Sequence, residues 1–446
     1  MPGSFYDPFS LFEGEGRDEG GKEPSPQPSP PGSGAKVLWD VVIVGAGPAG
    51  LMTSIHCAEG NLRTLVLDGK EAIGAKLLLS GGGRCNVTHF KVNEKNYHSG
   101  ASRTVRNVLR AFPSEKTLAF FREYGVEMVL EEGTQYFPRE QSSKVVLQAL
   151  LQASRRFGVV IEKGKKVQKI SREADLFCIS GKGFECFSKT LVLATGGLSY
   201  PGTGSDGSGY VLAKSLGHTI VLTTPALTPL LTEDDDWKSL AGITRPVRLS
   251  LLADGKETAR SEGALLFTHV GFSGPAVLDI SGPWLRCDAR QKELCVDFFP
   301  ERRKADFLAE WIRSIIEHPN RSWRRAVSKY FPERLAEVLL KKSGIAPAVR
   351  LDQVPQKDRE TFLQSLFRFP IKVTGSQGYE KAEVTAGGVD LREVDAKTLE
   401  SKRCPGLFLA GEVLDVDGRI GGFNFQWAWA SGAVVGRSIL QRLRGC

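Results

Sequence analysis

Short, fully apolar runs open and close the chain, and mixed patterns fill its middle. "VLWDVVIVGAG", from Val37, is a β-rich run that stops on glycine. A helical pattern follows from Pro48 to Glu59, and "RTLVLDG" is a second short apolar run. Strand, helix and strand around a tight first turn predict the start of a doubly wound sheet. Strands of such a sheet are covered on both faces and therefore read as continuous apolar runs. Helical spacing recurs around Val105–Phe112, Glu115–Tyr124 and Ser142–Phe157. "DLFCIS" and "FECFS", separated by "GKG", predict a hairpin, and "TLVLATGG" predicts a further buried strand.

From about Tyr200 the texture changes. "TIVLT", "VRLSLLA", "ALLFTHVG" and "LCVDFF" alternate with turns, the pattern of a small all-β barrel or sandwich. Between Glu301 and about Val349 the period becomes helical, with Phe307, Leu308, Trp311, Ile312 and Ile315 on one face. After Ile371 the sheet pattern resumes. "GLFLAGE" reads as a strand, and the segment from Gly421 to Arg444 as a closing helix opened by two glycines. The expected division is a disordered, Pro/Ser/Gly-rich tail over 1–36, the first part of an α/β domain over 37–204, and a β-barrel domain over 205–300. A helical insert over 301–352, a return to the barrel over 353–372 and the second part of the α/β domain over 373–446 complete it.

Composition narrows the class. The 446 residues are 41% hydrophobic and 25% charged, ordinary for globular domains, and long enough for two or three of them. No apolar run approaches the roughly 20 residues of a membrane helix, so no membrane partner is expected. None of the eight cysteines forms a C-x-x-C pair, which argues against a disulfide framework, a dithiol reductase and a zinc ribbon. The six histidines show no ligand spacing, and no metal is expected. A reducing, cytoplasmic setting is the expectation. The net charge of +8 is concentrated: residues 301–350 hold twelve Lys/Arg against six Asp/Glu.

Candidate chemistry starts at the first turn. Gly45-Ala46-Gly47-Pro48-Ala49-Gly50 is a G-x-G-x-x-G loop that follows a strand and opens a helix, the context in which it binds dinucleotides. Its first glycine permits the turn, the second lets a pyrophosphate approach the backbone, and the third lets helix pack on strand. The acid expected about 20 residues on, for a ribose, is Asp68. Gly202-Thr203-Gly204-Ser205-Asp206-Gly207 fits the same pattern, but the next strand ends in threonine, and a substrate-side loop is expected there. Near the C-terminus, Glu412 stands directly after Gly411 at a strand end, and Gly421-Gly422 opens the last helix. In a flavoprotein Glu412 would meet ribityl hydroxyls, and the positive helix end would face the flavin N1/C2 carbonyl edge.

Together with "GAKLLLSGGGRCNVTH", "LVLATGGLSYPGTGSDGSGY", "FTHVGFSGPAVLDIS" and "EVTAGGVDLREVDAKTLESKRCPGLFLAGEVLDVDGRIGGFNFQWAWASG", these stretches resemble the BaiN/RdsA-type family of NAD(P)/FAD-dependent oxidoreductases, the aminoacetone oxidase-like FAD-binding flavoproteins. The resemblance frames nearly all of 37–446. It implies an α/β fold: a glutathione-reductase-like FAD-binding Rossmann domain interrupted by a β-barrel domain and a small helical insert. It also implies FAD contacts at Ala49, Asp68, Gly69, Lys76, Ser80, Gly81, Asn86, Glu412 and the turn of Gly421, Gly422, Phe423 and Asn424, with Val167 meeting adenine through its backbone. His89 stands where the family often has asparagine.

Other residues stay open at this stage. Arg84 reads as a pyrophosphate-binding or loop-stabilising cation. Cys85, Tyr200 and His269 are candidates for redox or proton chemistry, with Thr203 beside the substrate cavity, and none belongs to a complete catalytic constellation. The basic insert, with Trp311, Trp323 and Tyr330, offers a nucleic-acid reading, although its helical spacing favours a solvated face on a small bundle. The resulting expectation is an FAD-dependent oxidoreductase whose flavin is reduced by NAD(P)H and passes hydride to a small organic acceptor, by resemblance an enone C=C bond. The alternatives are an O2-using oxidase of a small amine and an RNA-binding or RNA-modifying flavoprotein.

Overall fold

The computed structural model describes residues 37–445, so the tail expected over 1–36 lies outside the described residues. The first strand, Leu38–Val44, is flanked in parallel by Thr64–Leu67 and by Phe184–Leu193. Val160–Glu162 extends the sheet beyond Thr64–Leu67, and Leu407–Leu409 pairs in parallel with the end of Phe184–Leu193. The first half of Phe184–Leu193 instead continues antiparallel through Leu176–Gly181 to Val167–Glu173. One long strand thus belongs to a parallel sheet and to a three-stranded meander. Val41, Val42, Ile43, Leu191, Val192 and Leu193 are fully buried, as continuous apolar runs between two helical layers require.

Helices form where their spacing predicts, at Ser102–Ala111, Ser114–Glu123 and Ser143–Arg156. Pro48 occupies the first position of the helix Pro48–Glu59, where its missing N–H costs nothing. The terminal helix, Phe423–Arg444, lies in the same core, with Trp427 and Trp429 buried. Their indole N–H groups donate to Gly411 O at 3.1 Å and Val87 O at 2.9 Å. Burial of each ring contributes on the order of 2–3 kcal/mol, and the two hydrogen bonds fix what the helix holds in place.

The expected barrel takes the form of a seven-stranded antiparallel sheet. Its two edge strands, Phe369–Ile371 and Gly375–Ser376, follow one another in the chain. The reading of 205–300 as purely β is corrected by the helix Pro275–Arg286, in "PAVLDISGPWLR". Two prolines and a glycine disguise it. Pro275 is its first residue, and the internal Pro283 falls in its last turn, so the apolar spacing is short. The helical block also runs further than 352, through Gln356–Ser365, before the sheet returns at Phe369. Sheet and helical insert share one apolar core. Trp311 stacks on Trp323 at 5.5 Å, Phe298 packs edge-on to Phe369, and both indoles are buried. They are therefore closed to a nucleic-acid base.

The chain passes between the two regions through Ile220–Ala226 and Val384–Val389, which pair antiparallel. Ala226, Leu227, Val384 and Ala386 bury a small apolar cluster there with Leu278 and Ile420 against it. Among the described residues no helix is long and apolar enough to cross a membrane.

Candidate functional site

A cavity of about 680 Å³ runs along the C-terminal ends of the parallel strands to the paired crossover strands. Ligands of open α/β sheets bind in that position. Val44, Leu67, Ala194 and Ala410 reach it from the sheet, and Leu227, Glu383 and Val384 close it from the crossover.

The three loop glycines have three separate reasons. Gly45 has φ +107°, and a Cβ there would lie 2.9 Å from the Ala194 carbonyl carbon. A Cβ on Gly50 would collide with the Gly45 carbonyl oxygen, so its absence lets the helix approach the strand. A Cβ on Gly47 would meet nothing within 4 Å, although Gly47 lines the cavity: the space beside it is left for something else. Asp68 braces this loop, with Oδ2 accepting from Ala46 N at 2.7 Å and Oδ1 from Lys70 N at 2.8 Å. Each oxygen keeps a lone pair.

At the opposite end, "SGGGRCN" folds as a tight turn after the short helix Ala75–Leu79, and Gly81, Gly82 and Gly83 take φ of +56°, +67° and +87°. Three successive left-handed residues account for the glycines; a Cβ on Gly82 would meet nothing. The terminal helix anchors the strand that follows. Thr88 Oγ1 donates to Gln426 Oε1 at 2.7 Å, and Trp429 holds Val87. The amide of Asn86 lies 2.5 Å from Gln135 Oε1 and within reach of Gly422 N.

Glu412 is the most heavily tied acid of the cavity. Its Oε1 accepts from Thr385 N at 2.7 Å and Ser199 Oγ at 2.9 Å, and its Oε2 from Lys76 Nζ at 2.5 Å. Gly411, whose N–H donates to Ser431 Oγ and whose carbonyl accepts from Trp427, fixes where that side chain starts.

Of the residues singled out in the sequence, Gly45, Gly47, Ala49, Asp68, Gly69, Lys76, Ser80, Gly81, Arg84, Asn86 and Val167 line this one cavity, as do Gly411, Glu412, Gly421, Gly422 and Asn424, and with them Tyr200 and Thr203 of the second glycine loop. Arg84 is held by Glu131, by Gln141 at 2.5 Å and over the Phe137 ring at 4.2 Å, which favours its loop-stabilising role. Gly50 serves only the helix–strand contact, and three further candidates lie elsewhere. His269 sits in the exposed turn between Lys256–Thr268 and Gly271–Ser273, away from the cavity. The Phe423 ring stacks on His89 at 4.6 Å within the core. Cys85 is fully buried behind the loop, and burial pushes its thiol up to about 12, the opposite of an activated nucleophile. Reading the sequence missed Glu383 and Ser199. Their only signal was their place inside "EVTAGG" and "GGLSYPGTG", beside residues that were noticed.

The model of the HI0933-like protein Rossmann domain matches residues 39–438. The chain is 32% identical over 404 residues to a 3-dehydro-bile acid delta(4,6)-reductase of Clostridium scindens, covering 90% of this chain and 98% of that protein. It is also 32% identical over 405 residues to a ribosomal RNA dihydrouridine synthase of Escherichia coli, covering 90% and 98%. An Escherichia coli quinol fumarate reductase chain superposes with a TM-score of 0.48 at 16% identity, covering 92% of this chain and 71% of the other. This chain therefore belongs to the HI0933-like Rossmann family.

Proposed function

We propose that the protein binds FAD in the cavity and uses it, reduced by NAD(P)H, to saturate a C=C bond conjugated to a carbonyl. The observation that carries the FAD reading is the open space beside Gly47, at the N-terminus of Pro48–Glu59, within one cavity that also reaches the N-terminus of Phe423–Arg444. A diphosphate suits the first helix end, whose free N–H groups and partial positive charge favour an anion. Asp68 would hold the adenosine ribose, and the backbone at Val167 would meet the adenine. The Ser80–Gly82 turn and Gly421-Gly422 would flank the flavin ring, with Lys76 and Glu412 beside it.

A bound flavin supplies a hydride to the acceptor. This chain's residues supply the rest. The second helix end would favour negative charge on a flavin ring held beside it. A 3-oxo-Δ4,6 steroid and a uracil ring share one reactive unit, a C=C bond conjugated to a carbonyl, so one chemistry covers the activities for which both relatives are named.

The choice between a free small molecule and a base in RNA turns on the insert. Its charge favours RNA, but acids of the insert, and Asp236 outside it, answer several of the cations. Arg324 pairs with Glu333 and Glu337, Lys329 and Arg302 with Glu310, and Lys341 with Asp236. Together with the burial of Trp311 and Trp323, this favours the small molecule.

Anaerobic mixing with NADH and NADPH, followed by an enone or a uridine-containing RNA, tests the proposal. Flavin absorbance is expected to bleach with one donor and to return with the enone. No bleaching by either donor removes the reductase reading. Peroxide formed with a small amine points to the oxidase. Salt-sensitive RNA binding that is lost in the Arg324→Glu, Arg325→Glu double variant restores the RNA reading.

A further inference from the structure

Four carboxyl groups line the cavity: Asp68, Asp206, Glu383 and Glu412. Three are engaged. Asp68 accepts the backbone N–H groups of Ala46 and Lys70. Glu412 takes Lys76, Ser199 and Thr385. Asp206 is 2.6 Å from Lys166 Nζ, and although burial pulls the other way, Lys166 and Ser208 hold its carboxyl down to about 2. Asp206 therefore has no proton to give at neutral pH. The carboxyl of Glu383 makes no hydrogen bond or ion pair among the described residues, and what remains exposed of it opens into the cavity.

The backbone sets Glu383 in place. Leu198 N and Ser199 N both donate to Thr385 Oγ1, at 2.7 and 3.1 Å, and Ser199 Oγ donates to Glu383 O at 3.3 Å. The 198–200 loop is thereby stitched to the 383–385 strand. Tyr200 is the next residue on one side of the stitch and Glu383 stands on the other. Tyr200 adopts φ +51°, a left-handed conformation that a bulky side chain holds only where its surroundings impose it. Both residues line the same cavity.

On the reading that the protein saturates a conjugated C=C bond, we propose that Glu383 is the catalytic acid that delivers the proton. The hydride supplied by the flavin arrives at the carbon β to the carbonyl, and the π pair moves onto the carbonyl oxygen. As the C=O bond re-forms, the carboxyl O–H bond of Glu383 breaks and its proton goes to the α carbon. Glu383 is left as a carboxylate and regains a proton from water. The nicotinamide donor restores the two electrons.

The surroundings favour the protonated form of this acid. Burial raises its pKa, the Lys76 charge opposes that, and Asp279 adds to it. Tyr200, whose own phenol is raised by burial and by Glu383, offers a neutral neighbour. Of the cationic side chains near it, Lys76 is committed to Glu412.

Two readouts on the purified holoenzyme test the assignment. The infrared difference between wild type and Glu383→Gln at pH 7 should contain a protonated-carboxyl C=O band; its absence overturns the proposal without any turnover being measured. In rapid mixing, Glu383→Gln should leave flavin reduction by the nicotinamide within about twofold and slow reoxidation by the enone about 10²–10⁴-fold, with Glu383→Asp in between. Reoxidation of Glu383→Gln at the wild-type rate overturns the donor role alone. A wild-type enzyme that bleaches with nicotinamide and is inert to every enone overturns the reaction reading, and the donor role with it.

Discussion

Lys76 Nζ lies 2.5 Å from Glu412 Oε2 and 2.5 Å from Ser199 Oγ, closing a triangle whose third side is the 2.9 Å bond from Ser199 Oγ to Glu412 Oε1. The three residues come from the "GAKLLLS", "GGLSY" and "LAGEV" segments. The side chains of Lys76 and Glu412 are 24% and 20% exposed. A hydrogen bond to a charged group contributes about 1.5–3 kcal/mol, and here the pair also holds a short helix and a strand end against one cavity. Lys76→Met should weaken FAD about 10- to 100-fold, read as flavin content after gel filtration and as a dissociation constant by fluorescence. Full retention of flavin would mean the triangle serves only the fold.

The first glycine loop offers an internal contrast. Gly47 borders open space, whereas Gly50 faces the Gly45 carbonyl oxygen. Gly47→Val should leave the melting temperature of the flavin-free protein nearly unchanged and abolish FAD binding. Gly50→Ala should lower that melting temperature by several degrees, because either the helix or the strand must move. Equal effects of the two substitutions on apo stability would contradict the separation of roles.

Cys85 sits between two cavity-lining residues yet is fully buried, with its thiol pushed up to about 12 by burial, partly offset by Ser80. Native protein at pH 8 should therefore leave Cys85 unmodified by a disulfide reagent, while denatured protein reacts. Cys85→Ala should keep flavin reduction and reoxidation within about twofold. Rapid native labelling at Cys85, or a yellow but inactive Cys85→Ala protein, would reinstate the redox cysteine.

Legibility followed the physics of each feature. The conformation of the first glycine loop could be read in advance because its glycines answer local demands that spacing alone expresses, and the acid at the end of the second strand, Asp68, stands against that loop. The terminal helix could be read from its paired glycines. The helix Pro275–Arg286 could not, because its prolines suppress the periodic signal and only packing on the sheet stabilises it. His269 failed for a related reason: a lone histidine carries no information about which way its hairpin turns. Glu383 was invisible because its character comes from what surrounds it, the stitch to Ser199 and the lack of a partner, and neither is written in the neighbouring residues.

The last prediction concerns acid stability. The side chain of His218 is fully buried, with Nε2 2.8 Å from Ser401 Oγ and Nδ1 3.2 Å from Glu393 Oε2. Burial lowers its pKa below the ordinary 6.5, outweighing the pull of Glu393. In the window just below 6.5 the unfolded chain binds a proton that the folded chain refuses, so stability falls as pH falls through it. His89, lowered in the same direction by burial, adds to the slope. Glu393 is held below its ordinary value against the effect of burial, by Thr219 and Arg403, so its contribution is lost only further down, below about pH 4.5. Glu383, Asp279 and Asp415, raised by burial, act the other way in the same range, so the His218 contribution is read as a difference: from pH 7 to pH 5 the melting temperature of the wild type should fall relative to that of His218→Gln, which keeps a polar partner for Ser401 without a titrating ring. An identical slope in the variant, measured by calorimetry across that range, would place the acid sensitivity outside His218.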